Sequence, residues 1–245
     1  MKVRDVVNLY DRDVAILKDY GIKRKLTLHK SLRKSGFEVP QNKRKKGIAN
    51  DQKLDENIAH TRSRIFELAY CNPWEWFITL TIDPTKHDRH DLEGYMKKLG
   101  QWIQNTNKRK GMTIKYLLIP EMHEDGAWHV HGFLMGLSEE HLIKNKNGYL
   151  DWLEYREKFG YCSLDRIKNH EAVSKYVTKY ISKNLQDCVQ AINAHMYYCS
   201  NRLKRAQEIK RGTLTAINAP WDYENEWIKC RWSHESADRL GTDIL

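Results

Sequence analysis

The sequence predicts an α+β domain built on an antiparallel or mixed sheet. Three observations predict it. Strand-like and helix-like stretches alternate from about residue 51 onward. Two of the strand-like stretches, IKYLLIPEM (114–122) and AWHVHGFLMG (127–136), flank an Asp125-Gly126 turn signal and read as a hairpin. The stretch WEWFITLTID (74–83) alternates strictly, as a strand does when its two faces meet different surroundings. A hairpin in mid-chain argues against a doubly wound parallel sheet.

Taken in order, residues 1–50 read as a basic extension, possessing short helical patterns such as Val14, Leu17 and Ile22, interrupted by Gly21, Gly36 and Pro40. A helix-turn-helix is the nearest motif. Residues 51–245 read as one domain. It opens with a helix to Tyr70 whose core positions are Ile58, Ile65, Leu68 and Ala69. In the strand 74–83, Ile78, Leu80 and Ile82 form an apolar face, while Phe77, Thr79, Thr81 and Asp83 form a polar face open to a ligand. A helix over 91–105 presents Leu92, Tyr95, Met96, Leu99, Trp102 and Ile103. After the hairpin, 138–160 reads as mostly helical, Tyr161–Ile167 as a strand and 170–185 as a helix, with Asn169 its N-cap. Short strands are expected near His195–Cys199 and Glu226–Arg231. The aromatics Trp221, Tyr223, Trp227 and Trp232 are assigned to packing on the sheet rather than to base stacking.

The net charge of +10 is unevenly spread. Residues 1–50 hold fourteen Lys/Arg against five Asp/Glu, whereas 51–245 hold 28 against 27. The run Lys43, Arg44, Lys45 and Lys46 suits a phosphate backbone, and equally suits a solvated tail. No apolar run approaches the roughly 18 residues of a membrane span. The five cysteines are scattered, with no C-x-x-C pair, so free thiols in a soluble, cytoplasmic protein are expected.

His129 and His131 sit two apart on a strand and therefore share a face. Taken alone, the pair fits half-buried, hydrogen-bonded histidines as well as a metal site. Glu121, at the end of the preceding strand, joins them only if the turn has the right parity. A two-residue loop would pair it with Val130 and turn it away. A three-residue loop over 125–127 would pair it with His131, and His123 with His129. An odd-numbered or bulged turn is therefore predicted. Two imidazoles and a carboxylate suit Mn²⁺ or Mg²⁺ with open positions, and zinc also fits. His123 is a reserve ligand.

In SKYVTKYISK (174–183), Tyr176 and Tyr180 lie one helical turn apart on a stripe with Val173, Val177 and Ile181. That stripe is an ordinary core face, or a core edge where each phenol has a lysine, Lys179 or Lys183, about 60° further round. A cation or metal beside a phenol favours the phenolate, a nucleophile able to attack a phosphodiester.

Three blocks in order resemble the HUH endonucleases, and among them the rolling-circle replication initiators with two tyrosines. They are FITLTID (77–83), EMHEDGAWHVHGFL (121–134) and YVTKYISK (176–183), within a motif region of about 65–200. The resemblance implies an HUH/RRM-like nuclease fold, with a central antiparallel sheet of about five strands and helices packed on it. It implies a metal-dependent, site-specific DNA endonuclease and strand transferase that nicks an origin and stays joined to the 5′ phosphate through tyrosine. By position it makes Glu121, His129 and His131 the metal ligands and Tyr176 and Tyr180 the nucleophiles, Tyr176 cutting first. Lys179 and Lys183 would assist. Thr79, Thr81 and Asp83 would line the DNA face. It further implies single-stranded DNA and an origin hairpin as substrates, host helicase and polymerase as partners, and a bacterial cytoplasm as the setting. The alternatives are an HUH transposase or mobilisation relaxase, or a non-catalytic DNA-binding regulator.

Overall fold

The computed structural model describes residues 9–34, 51–146, 148–169, 171–172, 196–214, 220–225 and 228–234. In chain order the elements are β1 (Leu9–Asp19), β2 (Arg24–Lys34), α1 (Asp51–Cys71), β3 (Trp76–Thr81), α2 (Leu92–Lys110), β4 (Lys115–Met122) and β5 (Trp128–Met135). There follow β6 (Leu142–Lys144), β7 (Leu150–Trp152), α3 (Leu153–Lys158), β8 (Cys162–Arg166), β9 (Tyr198–Cys199), β10 (Gln207–Gly212), β11 (Tyr223–Glu224) and β12 (Ile228–Ser233). Every strand pairing among them is antiparallel, so the α+β class holds.

The chain forms two compact units, Asn50–Lys204 and Met1–Ala49 with Arg205–Leu245. The sequence reading carries one domain from 51 to 245. The structure instead groups Arg205–Leu245 with the N-terminal segment, because β10 pairs with β1 and β12 pairs with β2.

In the larger unit the sheet order is β6-β7-β8-β3-β5-β4-β9, open at both edges among the described residues. It has seven strands rather than about five. Short β6 and β7 extend the β8 edge, where the sequence suggested helix. A turn explains the difference: Asn145 accepts Gly148 N–H on its carbonyl and Tyr149 N–H on its side chain, reversing the chain before a helix can form. Only Leu153–Lys158 of that stretch is α-helical.

Helix α2 is written locally. The Asp91 side chain accepts Gly94 N–H at 2.9 Å, Glu93 lies in the first turn, Lys108, Arg109 and Lys110 lie in the last, and Gly111 ends the helix in αL. Its buried stripe holds all six residues expected of it and packs on Ile78, Leu80, Ile82, Val130 and Leu134. Leu99 is fully buried there; truncation to alanine at such a site costs about 2–5 kcal/mol. On the other side of the sheet, Ile58, Ile65, Leu68 and Ala69 of α1, as expected, join Trp74, Leu117 and Phe133 in a second core.

In the smaller unit the sheet order is β10-β1-β2-β12-β11. The helical reading of Val14, Leu17 and Ile22 is therefore overturned. Ala15 and Leu17 alternate on one face of β1 and bury against Leu26, with Leu28, Leu214 and Trp221 packed beside them. Trp232 meets Tyr20 edge-on at 4.9 Å and lies beneath Lys25 Nζ at 5.3 Å. Trp221 and Trp232 thus pack, Tyr223 is exposed, and Trp227 lies outside the described residues. Among the described residues no helix is long and apolar enough to cross a membrane. Cys71, Cys162, Cys199 and Cys230 are free thiols, and Cys188 falls outside the described residues.

Candidate functional site

Four adjacent strands, β8, β3, β5 and β4, bring the site together. Residues paired across antiparallel strands point to one face. The register places Thr81 beside His129 and His129 beside Glu121. The next row on that face is Ser163, Thr79, His131 and Ile119, and the one after is Asp165, Phe77, Phe133 and Leu117. The polar face predicted for β3 is therefore real, but it is not open along its whole length. Phe133 and Leu117 are buried in the core under α1, with Phe77 and Ile119 packed against it. Only the end bearing Thr79, Thr81, Glu121, His129 and His131 has the character of a site.

Those side chains already touch. Glu121 Oε2 lies 2.7 Å from His131 Nε2. Thr79 Oγ1 is 3.0 Å from His131 Nδ1, and Thr81 Oγ1 is 3.3 Å from His129 Nδ1. The His123 ring centroid is 4.0 Å from that of His129. Partial burial lowers the pKa of both His129 and His131, and the neighbouring His123 lowers both further; Glu121 opposes the shift at each. Both imidazoles are thus biased toward the neutral form, the form that binds a metal.

The hairpin loop is odd-numbered, as the parity argument requires, but it comprises residues 124–126 rather than 125–127. His123 N–H donates to Ala127 O at 2.9 Å, and Gly126 takes the left-handed conformation at φ 78°. This is the three-residue hairpin pattern closing on an αL residue, which suits glycine. Asp125 braces it by accepting Ala127 N–H at 3.0 Å and the Arg89 guanidinium at 2.8 Å. These contacts also hold the Asp125 carboxyl below the usual range, the Ala127 amide foremost. The consequence is a corrected pairing: Glu121 faces His129, and His131 faces Ile119. The shift is two residues, so all three side chains keep the predicted face.

From beneath, the Tyr155 hydroxyl donates to the Thr81 carbonyl at 3.3 Å and meets the buried Tyr95 hydroxyl at 2.7 Å. Asp83, two residues beyond Thr81, accepts the Thr85 amide and hydroxyl, and these bonds depress its pKa.

The donor set suits a divalent cation: two neutral imidazoles and a carboxylate from adjacent strands, on a half-exposed face. As the side chains stand, no group of three or more His, Cys, Asp and Glu residues among the described residues forms a closed cage. Glu121 is instead folded onto His131, and a cation would take the place of the proton between them. Tyr176, Lys179, Tyr180 and Lys183, and likewise Lys43, Arg44, Lys45 and Lys46, lie outside the described residues.

Sequence reasoning missed a basic groove of about 830 Å³ along α2. Lys97, Lys98, Lys108, Arg109 and Lys158 line it, and no carboxylate does. The signal was present as cations on the exposed stripe of a helix whose apolar stripe was read correctly.

Residues 75–185 match a family model described as Replication-associated protein ORF2. No curated protein and no solved structure matches the chain.

Proposed function

We propose that this chain, whose residues 75–185 belong to a family of rolling-circle replication initiators, nicks and rejoins single-stranded DNA at an origin through a tyrosine nucleophile. One observation carries the reading. Within the matched segment, the fold gathers Glu121, His129 and His131 at one end of one sheet face, with Thr79 and Thr81 against the imidazoles.

The residues would divide the work as follows. His129, His131 and Glu121 would hold Mn²⁺ or Mg²⁺, which when bound withdraws charge from the scissile phosphate. Thr79 and Thr81 hold the Nδ1 atoms of His131 and His129, leaving each Nε2 to face the ligand. Tyr176 would attack phosphorus through its hydroxyl oxygen, forming the phosphotyrosine ester as the bond to the 3′ oxygen breaks. The phenol proton leaves and the 3′ oxygen gains one, giving the 3′ hydroxyl that a host polymerase extends. Lys179 would stabilise the phenolate. Tyr180, with Lys183, would remain for the second transfer that rejoins the displaced strand. An origin hairpin and a host helicase complete the proposed setting, and the cations of the α2 groove supply a surface for DNA backbone.

The test uses single-stranded oligonucleotides tiled across the replicon that encodes the chain, with Mn²⁺ present. A covalent adduct surviving a denaturing gel, absent with Tyr176→Phe, is the expected result. No adduct with any tile would end the nickase reading.

A further inference from the structure

Beyond Thr81, at the same end of the sheet, a cavity of about 260 Å³ opens. Its lining includes Asp83, Lys86, Arg156, Glu157, Gly160 and Tyr161. Tyr161 is 59% exposed, a large aromatic surface left to solvent. The Thr81 amide donates to the Tyr161 carbonyl at 2.8 Å, so Tyr161 sits beside Thr81 at the end of the row Thr81, His129, Glu121. Alternation along β8 puts it on the face of Ser163, which pairs with Thr79. Two strand spacings separate it from His129, about 10 Å.

The platform is fixed. Gly160 has φ 147°, and a Cβ there would fall 2.3 Å from Thr81 O and 2.6 Å from Asp83 N. Only glycine lets the chain come this close to β3 before it turns into β8. The Arg156 guanidinium lies 5.9 Å from the Tyr161 ring centroid, steadied by Asp151, a 2% exposed carboxylate 3.5 Å away. Lys86 is held between the Arg156 carbonyl and Asp83.

The charges select the ligand. Two cations, Lys86 and Arg156, are balanced by two carboxylates, Asp83 and Glu157, so the cavity has no preference for phosphate. It suits a flat, neutral group with a polar edge. We infer that this cavity takes a nucleobase flanking the scissile phosphate, stacked on Tyr161 with its edge toward Asp83 and Glu157. The inference rests on the nickase reading only for its placement of the phosphate; base capture itself needs no cleavage. The α2 groove differs in kind, since Phe159 and Trp102 at its floor are buried and offer no ring face to a base.

The experiment measures anisotropy of end-labelled oligo(dA), oligo(dC) and oligo(dT), and of an abasic strand of equal length, without metal. Wild-type protein should bind at least one base-bearing strand more tightly than the abasic strand. Tyr161→Ala should weaken that binding about 5-fold or more while leaving the abasic strand unaffected, and Tyr161→Trp should restore it. Equal binding of all strands by wild type, failure to bind any, or an unchanged Tyr161→Ala would each overturn the inference. The adduct assay separates the two claims. An adduct with an unchanged Tyr161→Ala removes the base pocket alone; no adduct with the Tyr161 effect intact removes the nickase reading alone.

Discussion

Two ends of one sheet face carry opposite chemistry. At one end Phe77, Phe133 and Leu117 lie side by side and join the core beneath α1. Two residues further along β3, and two back along β5, the same face presents Thr79 and His131, then Thr81, His129 and Glu121. The strands, the pleat and the pairing are shared; the side chains and their cover differ. Burial under α1 fixes the register at the apolar end, because a one-residue slip would expose Phe133. The polar end inherits that register without contributing apolar packing of its own. Stability and chemistry are thus separated along a strand rather than between elements.

Substitutions at the two ends should separate those properties. The largest expected effect is that of His131→Ala, which removes a proposed ligand. Adduct formation should cease, while urea denaturation should shift by about 1 kcal/mol or less. A large loss of stability there would mean that the polar end also holds the fold. Phe133→Ala should do the reverse. Phe133 stacks with Trp74 at 5.7 Å and meets Phe77 at 6.1 Å, so truncation should cost about 3–5 kcal/mol in denaturant titration, with adduct per folded molecule preserved. Thr79→Val is the finest of the three. It removes the hydroxyl 3.0 Å from His131 Nδ1 and should weaken Mn²⁺ binding, read by calorimetry, by about 10- to 100-fold. Unchanged Mn²⁺ affinity would show that Thr79 does not orient the imidazole.

Much of this was readable in the residues. Alternation alone assigned both faces of β3, and the stripe of α2 was complete. The parity of the hairpin followed from requiring Glu121 on the histidine face. Its length did not, because loops of 124–126 and 125–127 differ by a two-residue slide that leaves every face unchanged. Cover was also illegible, since the apolar stripe of α1 does not state which half of a sheet it will meet. The N-terminal hairpin was missed for another reason. VAIL at 14–17 is apolar on both faces, a run that periodicity cannot divide between helix and strand. The strands that flank the hairpin, β10 and β12, lie in the last forty-one residues of the chain, Arg205–Leu245, beyond the reach of any local pattern.

The three-residue loop between β4 and β5 acts as a parity check on length variation. Val130 and Leu118 are buried on the opposite face from the site, so neither strand can rotate to accommodate a change. A single inserted residue cannot be absorbed by sliding and must be extruded as a bulge. Two inserted residues can slide the strands, bringing Glu121 opposite His131 and keeping all three groups on one face. Homologous loops should therefore differ in even steps, and an engineered series of insertions should alternate between inactive and active with each residue added.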